Sequence, residues 1–249
     1  MIVEWLEYLI GRAFFPDSRA DYLHQAVSLR ARHRRCHSAW RPHVEQCRRL
    51  ILDAATLCPK PRRAVVLGSG LWLEVPVAEL ATRFDEVVLV DLVHSWPERL
   101  KARQFPNLRL VEADVTEMTP AECGGDFLVS ANLLSQLPLI PVWTMEQHRP
   151  PPNPAELEAF SRTLIERHLE GLRALSGVVC LITDFESRIL NSESEIDRDD
   201  LLAGVELPPP DREWLWTLAP HPELYPCYDV QHRVAGYLNY CCPSRCNAV

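Results

Sequence analysis

Residues 64–70 read Ala-Val-Val-Leu-Gly-Ser-Gly, and the fold turns on how they are read. Ala64 to Leu67 form a short apolar run of β-formers, suited to a buried strand. The run stops at Gly68-Ser69-Gly70, and a helical pattern follows over residues 75–84. Glycine lets a backbone turn tightly and come close to a ligand, and the helix beyond aims its N-terminus at the same point.

The same beat continues outward. Glu86-Val87-Val88-Leu89-Val90-Asp91 is a second apolar strand, followed by a short helix over residues 97–103. Leu108-Arg109-Leu110-Val111 is a third strand, closed by Glu112-Ala113-Asp114. A fourth spans residues 126–130, a long helix residues 155–175 after a proline-rich loop, and a fifth strand residues 178–183. Strands this apolar, alternating with helices, imply a doubly wound α/β fold: a mostly parallel sheet covered on both faces.

The flanks differ. Residues 1–58 read as helices: Ile2, Leu6, Leu9 and Ile10 share one stripe, a second helix is expected over residues 18–34, and a third over 42–57 with Val44, Leu50, Ile51 and Ala54 on one face. Cys58-Pro59-Lys60-Pro61 breaks the pattern. The expected division is therefore a helical cap over residues 1–58 and an α/β domain over 59–249. After Thr183 the pattern is β-like again at residues 214–218 and 230–240, with prolines between, which suggests a hairpin-like return.

Composition narrows the function classes. The 249 residues are 47% hydrophobic and 24% charged, as in a globular chain. No apolar run approaches the ~18 residues of a membrane span. The net charge of −8 argues against non-specific nucleic-acid binding. The first residues carry Glu4 and Glu7 and no basic stretch, unlike a secretory signal, and the nine cysteines are odd in number and irregular in spacing. Free thiols in the cytoplasm are the expectation.

The ends of parallel strands share one sheet edge, where ligands bind. That edge should gather Gly68, Ser69 and Gly70 with Asp91, which lies 21 residues after Gly70, and with Asp114. A carboxylate at the end of the second strand can accept two hydrogen bonds from ribose hydroxyls. A dinucleotide fingerprint would place glycine at position 73, which is Leu73, so the nicotinamide or flavin reading is weakened.

On these residues the chain resembles the class I S-adenosylmethionine-dependent methyltransferases, over about residues 62–240. Val65-Val66-Leu67-Gly68-Ser69-Gly70 matches their glycine-rich first motif, and Asp91 matches the ribose-binding acid. The resemblance implies a Rossmann-like sheet with a C-terminal antiparallel strand. It implies S-adenosyl-L-methionine as cofactor, held by Gly68, Ser69, Gly70, Asp91, Leu92, Asp114, Val115 and Asn132. Two positions depart from the motif. Val66 stands where an acid is usual, and Trp72 where a third glycine is usual. Glu74 is the candidate to replace the missing acid by holding the cofactor's amino group. The expected function is methyl transfer to a small-molecule acceptor. The alternative is a non-catalytic nucleoside- or cofactor-binding module of the same fold, and Trp72 discriminates: filling the methionine pocket favours the module, and standing aside favours the enzyme.

In-line methyl displacement chiefly requires a nucleophile placed ~3–3.5 Å from the methyl carbon, so no catalytic residue is compelled. Asn132, Ser135 and Gln136 after the fourth strand, and Asp184 after the fifth, are the candidate substrate contacts. His94 is read as a surface residue, and Trp40 and His43 as part of a helix lidding the edge. Residues 30–49 hold seven Arg, three His and one acid, Glu45. This segment is either an anion site or a solvated face pairing with the acids of residues 197–200. Cys36, His37, His43 and Cys47 lack zinc spacing, so no metal is expected.

Overall fold

The computed structural model describes residues 20–191 and 194–241. The helix expected at residues 2–10 lies outside them, as do Cys242 and Cys246 of the tail. Helices α1 (Ala20–Arg35) and α2 (His37–Thr56) precede an α/β series. It runs β1 (Arg63–Leu67), α3 (Val77–Arg83), β2 (Glu86–Asp91), α4 (Trp96–Ala102), β3 (Leu108–Glu112), α5 (Pro120–Cys123) and β4 (Phe127–Ala131). After a 3-10 turn at Leu134–Gln136 come α6 (Leu139–Glu146), α7 (Pro154–Arg173), β5 (Val178–Leu190), β6 (Glu195–Asp200), β7 (Arg212–Ala219) and β8 (Asp229–Tyr237).

The strands form one sheet in the order β3-β2-β1-β4-β5-β8-β7, with β6 paired to β5. The first five strands of that order run parallel, while β8 is antiparallel to both β5 and β7. This is the Rossmann-like arrangement with a late antiparallel strand. Alternate side chains of each strand face opposite layers. Val66 faces Cys47, Leu50 and Ile51 of α2. Val65 and Leu67 face Ile165, Leu169 and Leu172 of α7. Burying a side chain such as Leu50, which is wholly inaccessible, stabilises by roughly 1.5–3 kcal/mol. Asn153 starts α7: its side chain accepts from Glu156 N–H at 2.9 Å, and Glu156 reciprocates, a capping box.

Several boundaries differ from expectation for physical reasons. The third cap helix begins at His37, not residue 42, so Pro42 lies inside it. Burial of Trp40 holds the first turn, and Pro42 and Ser38, whose carbonyl loses its partner, both lie on the exposed face. The buried stripe is Trp40, His43, Cys47, Leu50, Ile51 and Ala54, with Val44 to one side. Strand β5 runs to Leu190, seven residues beyond the expected end. Its polar continuation stays extended because β6 and β8 flank it and Glu186 pairs with Arg188, Arg198 and Arg233. Three elements, α5, α6 and β6, had no counterpart in the sequence reading.

The basic segment does not reach residues 197–200. Those residues form β6, whose Arg198 pairs within its own neighbourhood. Arg35 and Arg32 lie 2.7 and 3.7 Å from Glu223, and Arg30 lies 2.8 Å from the buried Glu98.

Candidate functional site

The C-terminal ends of β1 to β4 surround a cavity of about 410 Å³, within the ~300–1,000 Å³ range of small-molecule sites. Gly68, Ser69 and Gly70 form one wall. Gly68 has φ +66°, and a Cβ there would stand 2.9 Å from Leu133 Cδ1, so only glycine fits between β1 and the loop after β4. Gly70 is different: nothing lies closer to its missing Cβ than Gly68 O at 3.9 Å, so a side chain there would project into open space. The loop is a cradle kept bare.

Asp91 and Leu92 supply the next wall, Asp114 and Val115 a third. Asp91 Oδ2 accepts from the Gly70 N–H at 2.7 Å, which fixes the glycine loop against β2. Burial raises the pKa of Asp91, and the Gly70 N–H opposes the rise. Asp114 Oδ1 accepts from Thr116 N–H at 2.8 Å and stiffens the turn after β3. Glu74 also lines the cavity, and burial raises its pKa, with Arg48 acting the other way. With Glu98, which already pairs with Arg30 and Lys101, four carboxyl groups border the space, and Arg32 lines it as well.

Trp72 takes a positive φ of 60°, yet its indole is buried in the core on the α2 side of the sheet, under Lys101, and is not part of the cavity wall. The bulky residue stands aside. His94 is wholly buried, not at the surface, and its Nε2 lies 3.1 Å from Val111 O. Over the mouth lie α1, through Ser28, Leu29 and Arg32, and α6, through Leu139, Ile140 and Pro141. Arg30 anchors α1 by donating to Ser95 Oγ at 2.9 Å and to Glu98 Oε2 at 2.8 Å. None of the residues of α6 is fully buried despite their apolar character.

The far side is built from distant segments. Asn132, with φ +51°, lies within 9% exposure at the end of β4 and lines the cavity. Its Nδ2 position is 3.1 Å from His43 Nε2 on α2. Trp214 of β7 donates its indole N–H to His43 Nδ1 at 3.1 Å, and Trp216 stacks on the same ring with centroids 4.1 Å apart. Burial keeps His43 neutral by pushing its pKa down to about 3, though Asp184 pulls the other way. Glu74 Oε1 stands 3.9 Å from His43 Nε2. Gln136 lines the cavity and donates from Nε2 to the main-chain oxygen of Asn132 at 2.6 Å.

The sequence-derived set therefore divides. Gly68, Ser69, Gly70, Glu74, Asp91, Leu92, Asp114, Val115, Asn132 and Gln136 share the cavity. Ser135 and Asp184 do not reach it. Ser135 Oγ donates to Asp184 Oδ1, and His232 Nδ1 lies 2.6 Å from Asp184 Oδ2, a part-buried polar cluster outside the cavity lining in which only Asp184 is buried. The sequence reading missed Trp216, Leu29 and the apolar lip of α6. The run Leu139-Ile140-Pro141-Val142-Trp143, bare of charge beside the fourth strand, was the available signal for that lip.

No protein-family profile matches the chain, and no curated protein does. Among solved structures it is similar to DhpI in a complex with SAM and HEP, at 18% identity, covering 65% of this chain and 64% of that one, with a TM-score of 0.37. It is similar to the N-methyltransferase NodS from Bradyrhizobium japonicum WM9 in complex with S-adenosyl-L-homocysteine, at 12% identity over 79% of this chain and 86% of that one, TM-score 0.43. It is also similar to coclaurine N-methyltransferase bound to N-methylheliamine and SAH, at 16% identity over 55% and 34% of the two chains, TM-score 0.33. That match spans just under two thirds of the DhpI chain in the SAM–HEP complex. The likeness is one of fold.

Proposed function

We propose that the chain transfers a methyl group from S-adenosyl-L-methionine to a small-molecule acceptor. One observation carries this reading: the bare glycine cradle, Asp91 and Asn132 converge on a single cavity from which Trp72 is turned away. The residues fit the cofactor. Gly68 to Gly70 would face its methionine portion, Asp91 its ribose, Asp114 and Val115 its adenine, and Glu74 its ammonium group. When bound, the cofactor supplies an electrophilic methyl group on a sulfonium. The acidic walls suit its positive charge. The chain's own task is to orient the acceptor and exclude water. Leu29 of α1 and the apolar lip of α6 serve the second purpose, and Asn132 and Gln136 the first.

Calorimetric titration with S-adenosylmethionine, S-adenosylhomocysteine and NAD tests this. Micromolar binding of the two sulfur ligands without an NAD signal is the expected result. Folded protein that binds none of the three would return the chain to the non-catalytic alternative.

A further inference from the structure

One face of α1 looks onto the mouth of the cavity. Ser28, Leu29 and Arg32 share it at helical spacing, and among the described residues Arg32 is the one basic side chain that lines the cavity. The neighbouring arginines are engaged elsewhere. Arg30 donates to Glu98, and Arg35 grips both oxygens of Glu223, at 2.7 and 3.0 Å. Arg32 is left with one loose approach, Nε to Glu223 Oε1 at 3.7 Å, beyond hydrogen-bond distance. Its Nε is sealed, but its two terminal nitrogens are not. The side chain keeps 31% of its surface exposed, and its guanidinium makes no hydrogen bond with a described residue. Glu223 stays ionised, because Arg35 holds its carboxyl below the usual range. Two guanidinium groups therefore face one carboxylate, and one positive charge is left over.

The position of that charge separates it from the glycine cradle. Glu223 belongs to the loop between β7 and β8, and β4 and β5 stand between β8 and the strand that carries the cradle, β1. Trp216 of β7 lines the cavity on that side, and Leu29, Leu139, Ile140 and Pro141 give it an apolar rim. We propose that Arg32 is the recognition group for the acceptor, and that the acceptor is an apolar monocarboxylate. The proposal rests on the methyl-transfer reading. A guanidinium pairs with a carboxylate through two parallel N–H···O bonds. One surplus charge matches one carboxylate. A phosphate monoester brings nearly two negative charges, and Glu74, Asp91 and Asp114 border the same cavity. The apolar rim suits a hydrocarbon body.

The probes are phenylacetate, cinnamate and decanoate, each paired with its uncharged amide and titrated into protein saturated with S-adenosylhomocysteine. At least one acid should bind about tenfold more tightly than its amide. Phenyl phosphate should bind more weakly than phenylacetate. Arg32→Gln should erase the preference for acids and leave the affinity for S-adenosylhomocysteine unchanged. Arg32→Lys, which keeps the charge and loses the fork, should fall between. Acids and amides that bind alike, acids that do not bind, or a preference for the phosphate overturn the proposal. So does a loss of S-adenosylhomocysteine affinity in Arg32→Gln with affinity for methylthioadenosine intact. Methylthioadenosine lacks the amino-acid portion, so that result would assign Arg32 to the cofactor's own carboxylate. The comparison of acid with amide needs no variant and stands even where Arg32→Gln fails to fold. Wild-type protein that binds no S-adenosylhomocysteine removes the methyl-transfer reading, while the same acid and amide titrations on ligand-free protein still decide whether Arg32 takes a carboxylate.

Discussion

The two halves of the cavity are made in opposite ways. The glycine-loop half is local: Gly70 and Asp91, joined by a 2.7 Å hydrogen bond, lie 21 residues apart across one strand–helix–strand unit. The Asn132 half is assembled from afar: His43 reaches Asn132 across 89 residues and Trp214 across 171. The first half is a property of the sheet edge, and its chemistry follows from strand ends. The second depends on the cap helix and the late hairpin docking on the same spot. A site of this kind can keep one face constant and vary the other.

The largest effect that would test this contrast comes from Trp40→Ala. Trp40 is wholly buried, packs edge-on to Trp216 and donates to Leu218 O at 2.9 Å, so it pins cap to hairpin. Its loss should cost ~3–5 kcal/mol in denaturant unfolding, in one transition. Two separate transitions would show instead that the cap folds apart from the sheet. Next, Asp91→Ala should weaken S-adenosylhomocysteine binding by ~1.5–3 kcal/mol in calorimetry while leaving the His43 NMR signals in place. Equal affinity in the folded variant would break the assignment of the local half.

A smaller effect concerns pH. His43, and His168 of α7, whose Nε2 lies 3.0 Å from Ser130 Oγ, are held neutral by burial, with pKa values near 3 and about 4 against 6.5 when free. The unfolded chain therefore binds protons that the folded chain refuses. Stability present above pH 6.5 is lost as pH falls from 6.5 toward 4, by about 1.4 kcal/mol per pH unit for each histidine. Urea midpoints should show this slope, and His168→Gln should flatten it by one proton's worth; an unaltered slope would remove His168 from the account. Least of all, Arg35→Ala should cost under ~1 kcal/mol, since Arg35 is half-exposed where it meets Glu223. A larger loss would make the basic helix part of what holds the distant half together.

The same contrast explains what the sequence revealed. The apolar strands, the glycine loop and Asp91 were legible because each signal sits within a few residues of its neighbour and follows the period of the element it builds. Asn132 was legible as a polar residue at a strand end, but its surroundings were not, because His43 and Trp214 come from distant segments. Ser135 and Asp184 were misplaced for a related reason. Both are polar and near strand ends, and only the structure shows that they satisfy each other and His232 outside the cavity lining. The polar length of β5 hid for want of an alternating pattern, its extended form depending on ion pairs with strands not yet in view.

The span from His43 to Trp214 also sets an order of events during synthesis. Translation proceeds from the N-terminus, so the glycine loop and Asp91 can meet while more than half of the chain is still unmade. His43 must wait, its ring without its indole partner, until β7 leaves the ribosome. A nascent chain stalled before β7 would carry the local half of the cavity and lack the strand that completes the other.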